Sequence, residues 1–344
     1  MTNENSTYSQ AGVNIDAGVR AVERMSAAVK STYTAQVLAG IGAFGGLFDA
    51  AAFKSMTAPV LAASTDGVGT KSKVAARLNR WDTIGSDLVN HCINDILVQG
   101  ARPLFFLDYV ASSQLDPDQI ATIVGSVAAA CREAGCALLG GETAEMPGIY
   151  QSGEIDLVGT VIGVVEREQI IDGLRIRAGD VLLGLPSTGL HTNGYSLARR
   201  VLDELDWNEP KAELGGVTIG DTLLAVHRSY RDPVEKLMDA DIDIKGLAHI
   251  TGGGMIDNLP RILPQGTAAI VQRGTWFEPP IFGLIQKRGS IDANEMFRVF
   301  NMGIGMLAVI PADQVREALA ALPGDCSVVG RIVDGDGSVT IVQS

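Results

Sequence analysis

Cysteine is scarce in this chain: Cys92, Cys131, Cys136 and Cys326 are the only four in 344 residues. None stands in a CxxC pair or at metal-ligand spacing, which argues against a disulfide framework or zinc cluster and leads us to expect a reducing, cytoplasmic setting. Aromatic residues make up 5% of the chain, and 27 Lys and Arg face 40 Asp and Glu, for a net charge of −13. That balance lacks the basic stripe that nucleic acid or an anionic membrane surface requires, so neither is expected as a partner. No apolar run reaches the ~18 residues of a membrane span. The opening MTNENSTYSQAGVNIDAG is polar and has no apolar core of a secretion signal. A phosphorylated small molecule remains open as a ligand, because such a site needs only one or two local cations and backbone N–H groups.

Glycine, by contrast, is abundant, with 40 residues in a chain that is 46% hydrophobic. Without a collagen period, that density indicates many tight turns and close backbone approaches. The length suits two domains. Residues 1–20 read as an extended polar lead and 21–38 as a helix, followed by the loop Gly40-Ile41-Gly42-Ala43-Phe44-Gly45-Gly46. Strands are expected at 59–64, 103–110, 136–141 and 156–166. Helices are expected at 82–99 and 116–133, the second opened by Asp116-Pro117. The charged, turn-rich stretch 167–179 separates domains 1–170 and 171–344. In the second domain, strands are expected at 180–186, 244–251, 267–272, 304–310, 326–333 and 338–342. Its helices are expected at 194–205, 220–227, 230–240, 254–262, 278–288 and 312–322. Such alternation indicates an α/β or α+β sandwich.

Gly40-x-Gly42-x-x-Gly45 matches a dinucleotide fingerprint, but a helix precedes it rather than a strand, so it reads as a ligand-approaching loop or a helix-ending turn. Thr65-Asp66-Gly67-Val68-Gly69-Thr70-Lys71 lacks Walker A spacing, yet packs a carboxylate, two glycines and a lysine together. Asp66 after a buried strand can hold Mg²⁺, the glycines let backbone N–H groups point inward, and Lys71 offers a point charge to phosphate. A glycine turn with a surface lysine is the plainer reading of the same residues. In the helix at 82–99, Leu88, Val89, Cys92, Ile93, Ile96 and Leu97 share one arc, opposite Asp87, His91, Asn94 and Asp95. The polar arc either faces solvent or turns Asn94 and Asp95 toward the metal; His91 is expected to be exposed. Gly140-Gly141 lead into Glu142, a second metal or ATP ligand, with Glu145 behind it, or the segment is a simple turn with solvated acids.

In the second half, His191-Thr192-Asn193-Gly194 lies between a strand and a helix, where His191 is either a general acid–base or a structural histidine. His249-Ile250-Thr251-Gly252-Gly253-Gly254 ends a strand and opens a helix, and its three glycines suit a phosphate seat. Phe300-Asn301-Met302-Gly303-Ile304-Gly305-Met306 enters a strand whose glycines admit a ligand or a bulge.

Taken in order, these segments resemble the phosphoribosylformylglycinamidine cyclo-ligase (aminoimidazole ribonucleotide synthetase) family. The resemblance runs from Tyr8 and Ala11-Gly12-Val13 through TDGVGTK at 65–71, IGSDLVNHCINDILVQGARPLFFLDY, GGETAEMPG, HTNGYSL, HITGGG and FNMGIGM. It departs at Ala43, where relatives commonly carry glycine, and at Ser26, where some carry lysine. The resemblance implies two domains of α+β type: an N-terminal one that closes a β-barrel across a homodimer and binds ATP, and a C-terminal α/β sandwich that binds substrate. It implies ATP as co-substrate, Mg²⁺, optionally a monovalent cation, and a phosphoribosyl small-molecule substrate. By it, His191, Lys71 and Asp95 are assigned catalytic roles. Thr65, Asp66, Gly67, Gly69, Thr70, Lys71, Asn94, Gly140 and Gly141 are assigned to ATP, Asp66, Asp95 and Glu142 to metal, and His191, Asn193 and Gly252 to Gly254 to substrate. The implied reaction phosphorylates the formyl oxygen of formylglycinamidine ribonucleotide and then closes the imidazole ring. Other members of the superfamily fit less well: the first cysteine is Cys92, far from the glycine loop, and the chain ends Val342-Gln343-Ser344 without a terminal cysteine.

Overall fold

A computed structural model describes residues 14–343. Tyr8, Ala11-Gly12-Val13 and most of the expected polar lead lie outside that range. The first helix starts earlier than its sequence pattern suggests. The Asn14 side chain accepts from the Ala17 N–H and caps α1 (Ile15–Lys30), with Asp16 in its first turn favouring the positive helix end. Contacts divide the chain into two units: described residues through 96 with 101–168, and 97–100 with 169–343.

In the first unit a short ladder, β1 (Val37–Ala39) with β2 (Leu47–Phe48), flanks the glycine loop. The main sheet has four strands in the order β3 (Pro59–Gly67), β6 (Ile155–Glu166), β4 (Arg102–Ser112), β5 (Ala137–Glu145). Only β4 and β5 run parallel; β3 and β4 are each antiparallel to β6. Among the described residues, no further strand pairs with β3 or β5 at its outer edge, and no closed barrel forms. Helices α2 (Lys71–Leu78), α3 (Ile84–Leu97) and α4 (Pro117–Glu133) accompany it, and α1 packs on α4. Alternation along β6 shows which face is covered: Ile155, Leu157, Gly159 and Val161 are buried, their neighbours half-buried. A Cβ at Gly159 would strike Phe106 and Leu88, so α3 lies on this face. The opposite face carries Leu61, 62% exposed, with exposed Ala63 and Thr65 and half-buried Val158, Thr160, Ile162, Phe105, Leu107 and Tyr109.

Two expected boundaries move. β3 runs on through Thr65, Asp66 and Gly67, and β5 runs past its expected end at Gly141 through Glu142 to Glu145, because each continues its ladder with β6 or β4. Gly140-Gly141-Glu142 is therefore strand, not turn.

The second unit builds a six-stranded mixed sheet in the order β12 (Val339–Gln343), β9 (Thr267–Arg273), β11 (Ser327–Asp334), β7 (Val181–Pro186), β10 (Ile304–Ile310), β8 (Gly246–His249). All neighbours are antiparallel except β12 and β9. Every residue of β10 is buried, as a strand covered on both faces must be. One face packs Leu183, Leu185, Met306 and Ala308 against Tyr230, Val234 and Leu237; the other packs Leu182, Ala248, Leu307 and Val309 against Met255 and Leu259. The helices are α5 (Tyr195–Leu202), α6 (Ile219–Leu223), α7 (Arg231–Asp239), α8 (Gly254–Asn258), α9 (Pro280–Gly289), α10 (Ala293–Val299) and α11 (Val315–Ala321). The expected helix at 220–227 stops at Leu223. The helix α10, capped by Asp292, was not anticipated from the sequence.

Candidate active site

At the end of β3, the first unit brings Asp66 to α3. The His91 Nε2 lies 2.8 Å from Asp66 Oδ2 and 3.9 Å from Asp95 Oδ2, with Asp95 one helical turn beyond His91. Ser64 Oγ donates to Asp95 Oδ2 at 3.1 Å, and the Gly67 N–H donates to Asp66 Oδ1 at 2.6 Å. The two carboxylates are open to solvent, their side chains 44% and 28% exposed, while His91 is buried behind them. Burial alone would lower the His91 pKa. The hydrogen bond and charge of Asp66, with the charges of Asp95 and Asp87, outweigh it and raise the pKa instead. Ligand atoms of Asp66, His91 and Asp95 lie within 4.8 Å of one another. Two accessible carboxylates are a hard-oxygen donor set, the kind Mg²⁺ takes together with phosphate oxygens.

Lys71 is not a surface cation. Its Nζ donates to Asp87 Oδ1 at 2.8 Å, and both side chains are fully buried. Burial lowers the Lys71 pKa against the opposing pull of Asp87. The remaining residues of the motif, Thr65, Gly67, Gly69 and Thr70, are exposed or half-buried at the strand end and the turn into α2.

A separate cleft of about 830 Å³ lies in the same unit between α1, the Gly40–Gly46 loop and the β4–β5 ridge. Gly140, Gly141, Glu142 and Asp108 line it. A Cβ at Gly141 would collide with the Asp108 carboxylate and carbonyl, so this position requires glycine, whose backbone packs directly on the half-buried carboxyl. Desolvation pushes the Asp108 pKa up to about 7. The folded chain then holds a proton that the unfolded chain releases near pH 4, so this group makes stability fall as pH rises from about 4 to 7. Asp108→Asn is expected to flatten that part of a thermal-midpoint profile against pH. Parallel profiles for both proteins would show that the carboxyl is not desolvated.

In the second unit, three histidines pack together, all buried: His191, His227 and His249. His191 sits at φ +61°, a left-handed conformation, and its Nε2 accepts the Thr188 N–H at 3.3 Å. Its ring stacks on His227, centroids 4.0 Å apart and planes at 20°. The Asn193 side chain faces the glycine turn, since a Cβ at Gly252 would come 3.3 Å from its Oδ1. Asn258 orders that turn, its Nδ2 donating to the carbonyls of Gly252 and Gly254 at 3.2 and 2.8 Å. The helix that Gly254 opens is only five residues long, too short for a strong phosphate-seating dipole.

Family models extend this picture. Residues 48–165 match "AIR synthase related protein, N-terminal domain" and residues 177–343 match the corresponding C-terminal domain. The phosphoribosylformylglycinamidine cyclo-ligase of Desulfitobacterium hafniense is 49% identical over 329 residues, spanning 95% of this chain and 96% of that one. The enzyme of the same name from Geotalea daltonii is 49% identical over 348 residues, spanning 100% and 99%. The chain belongs to the phosphoribosylformylglycinamidine cyclo-ligase family. At the level of fold it also resembles thiamine-monophosphate kinase of Stenotrophomonas maltophilia (TM-score 0.65, 18% identity, 94% and 95% covered). A hydrogenase maturation protein HypE solved with ATP is comparable (TM-score 0.65, 21% identity, 92% and 89% covered).

Within this cyclo-ligase fold, the residues assigned from sequence fall into separate groups. Asp66 and Asp95 meet, as a shared metal role requires. Glu142 does not join them. It pairs across the sheet with Tyr109, Val158 and Gly67, whereas Asp66 aligns with Gly159, Asp108 and Gly141. Alternation therefore places the two acids on opposite faces, and they lie on opposite edge strands, about 14 Å apart at three strand spacings. Asn94 is fully buried on α3 rather than presented to a nucleotide. His91, expected at the surface, is buried between the carboxylates. Asp108 and His227 were not singled out: one sits in an apolar strand run, the other in a stretch that reads as helix.

Proposed function

We propose that this chain catalyses ATP-dependent closure of formylglycinamidine ribonucleotide to 5-aminoimidazole ribonucleotide, releasing ADP and phosphate, in de novo purine biosynthesis. Near-full-length identity to relatives of that name carries the reading, and the Asp66–Asp95 pair supports it. An amide-like oxygen leaves poorly until it carries a phosphoryl group, so the first step transfers one from ATP to the formyl oxygen. Asp66 and Asp95 would hold Mg²⁺, which neutralises charge on the transferring phosphoryl group. His91 keeps Asp66 oriented, and Thr65, Gly67, Gly69 and Thr70 supply polar groups and accessible backbone beside it. Ring closure then needs positioning of the attacking nitrogen and removal of its proton, a task for the histidines of the second unit. Asn193 and the turn at Gly252 to Gly254 bind the phosphoribosyl substrate in this reading.

A homodimer belongs to the proposal. The more exposed face of the four-stranded sheet, with Leu61, Ile162 and Leu107, would be closed by the same face of a second copy. A cytoplasmic site of action accompanies it. The deciding experiment incubates the purified protein with ATP, Mg²⁺ and formylglycinamidine ribonucleotide and follows aromatic amine and phosphate. Equimolar formation of both is expected, abolished by EDTA and restored by Mg²⁺, with sedimentation at dimer mass. ATP binding without amine product would overturn the reading.

A further inference from the structure

The segment Phe300-Asn301-Met302-Gly303 leads into β10 and has no part in the reaction described above, yet it touches both ends of the loop that carries His191 and Asn193. The β7–β10 ladder ends at Ile304 and Pro186, and one further backbone bond, from the Ser187 N–H to the Gly303 carbonyl at 2.9 Å, extends it. Beyond that point side chains take over. Asn301 Nδ2 donates to the Gly189 carbonyl at 2.8 Å, and Asn301 Oδ1 accepts the Gly303 N–H at 2.9 Å. The Ser187 hydroxyl lies 3.0 Å from both Asn301 Oδ1 and the Gly189 carbonyl. At the far end of the loop a Cβ on Gly194 would strike the Phe300 ring, so that ring rests directly on the glycine. Both clamping residues are buried. Between them the backbone is held in a conformation few residues adopt: φ is +138° at Gly189, +61° at His191 and +78° at Gly194, and Met302, next to Asn301, has φ +50°. A left-handed residue other than glycine persists only where its surroundings over-determine it. Removing the Asn301 side chain leaves the strand ladder whole, because that ladder is backbone, but releases the Gly189 end of the loop. Thr192 and Asn193, in the middle of the loop, are half-buried and so open to a ligand.

We propose that Asn301 is a positioning residue which, with Phe300, clamps the loop of His191 and Asn193 in the shape that ring closure requires. This rests on the ring-closure reading above and needs no choice of proton acceptor. A misplacement of ~1 Å can cost about a hundredfold in a step that depends on placement. Phosphoryl transfer is assigned above to Asp66 and Asp95, not to this loop. Loosening the clamp therefore slows ring closure and leaves the phosphorylated substrate time to meet water. Water oxygen then bonds to phosphorus, the P–O pair returns to the formyl oxygen, and a water proton restores the amide. Phosphate departs, and ATP is hydrolysed with no ring formed.

The test measures amine and phosphate together in Asn301→Ala. The native enzyme is expected to give one amine per phosphate. In the variant the amine rate should fall about a hundredfold while phosphate release falls far less, so the ratio drops well below one. A residue needed only for folding lowers both in proportion, because the ratio does not depend on the fraction of active enzyme. Hydrogen exchange followed by mass spectrometry should quicken over residues 187–194 and stay unchanged over β10, a readout that needs no turnover. If Asn301→Ala does not fold, Gly189→Ala takes its place. Only the Thr222 carbonyl, 3.7 Å away, lies near the new Cβ, so this change strains the loop backbone at φ +138° without crowding its neighbours. It should uncouple phosphate from amine in the same way. A ratio that stays at one in the folded variant, or unchanged exchange over 187–194, would overturn the proposal. Absence of amine product from the native enzyme would overturn the ring-closure reading itself, and the exchange measurement would still decide whether the clamp holds the loop.

Discussion

Replacing Asp66 or Asp95 with asparagine is expected to lower kcat by about a hundredfold to a thousandfold, the loss typical of one preorganised electrostatic group in a transition state. Asparagine preserves shape and so isolates charge. Each substitution removes one of the two accessible carboxylates, and at Asp66 it also removes the acceptor that holds His91 and the main charge raising its pKa. Because both side chains are substantially exposed, the fold should tolerate the changes, and thermal midpoints within a few degrees of the parent would confirm that activity, not folding, was lost. The measurement is phosphate release under saturating ATP and ribonucleotide, repeated over a Mg²⁺ titration. A displaced Mg²⁺ requirement would place these residues at the cation. Near-normal turnover in both variants would show that the phosphoryl group is activated elsewhere. Glu142→Gln is the internal control: its carboxylate stands on the opposite sheet face, so within one chain it should not alter the Mg²⁺ requirement in step with the other two.

Lys71→Met should act differently, through stability. Removing one partner of a fully buried ion pair leaves the other charge uncompensated in a low-dielectric interior, at a cost of about 3–5 kcal/mol. For a unit of this size that corresponds to a fall of about 10 °C in the thermal midpoint. Lys71→Met combined with Asp87→Leu removes both charges and should recover most of the loss, because a well-packed apolar pair of similar volume serves as well as a buried salt bridge. A midpoint shift of only about 1 °C in the single variant would show that Asp87 is satisfied by other groups. The double variant also separates two roles. Retained turnover would make Lys71 structural, and lost turnover in a stable protein would restore the phosphate contact that the motif suggests.

The alternation of strands and helices, the break in the chain near residue 170 and the candidacy of Asp66 and Asp95 as neighbouring acids were legible in sequence, because each depends on local pattern. Periodicity distinguishes strand from helix within a few residues, and a carboxylate at the end of a buried strand announces itself. Helix α3 shows where local pattern stops being informative. Its polar arc of Asp87, His91 and Asn94 looked solvated, yet all three are buried. Amphipathicity assumes that only water can satisfy polar groups, and here Lys71 satisfies Asp87 while Asp66 satisfies His91. A clue was present in the i, i+4 spacing of His91 and Asp95, which sets both on one stripe of the helix.

Glu142 and His227 could not have been placed from sequence. Which face Glu142 occupies depends on the register of β5 against β4, β6 and β3, and a slip of one residue would reverse it. His227 acquires significance only because the second unit folds the segment after α6 against His191 and the end of β8. The sequence by itself determined most of the longer strands and helices, their order and which acids are candidates for a cation, since those follow from neighbours along the chain, while the short α2, α10, β1 and β2 escaped it. Tertiary structure alone decided which charges neutralise each other, which acids share a face and which histidines pack together. Those outcomes depend on distances between residues far apart in sequence, set by strand register and by the packing of helices on the sheet.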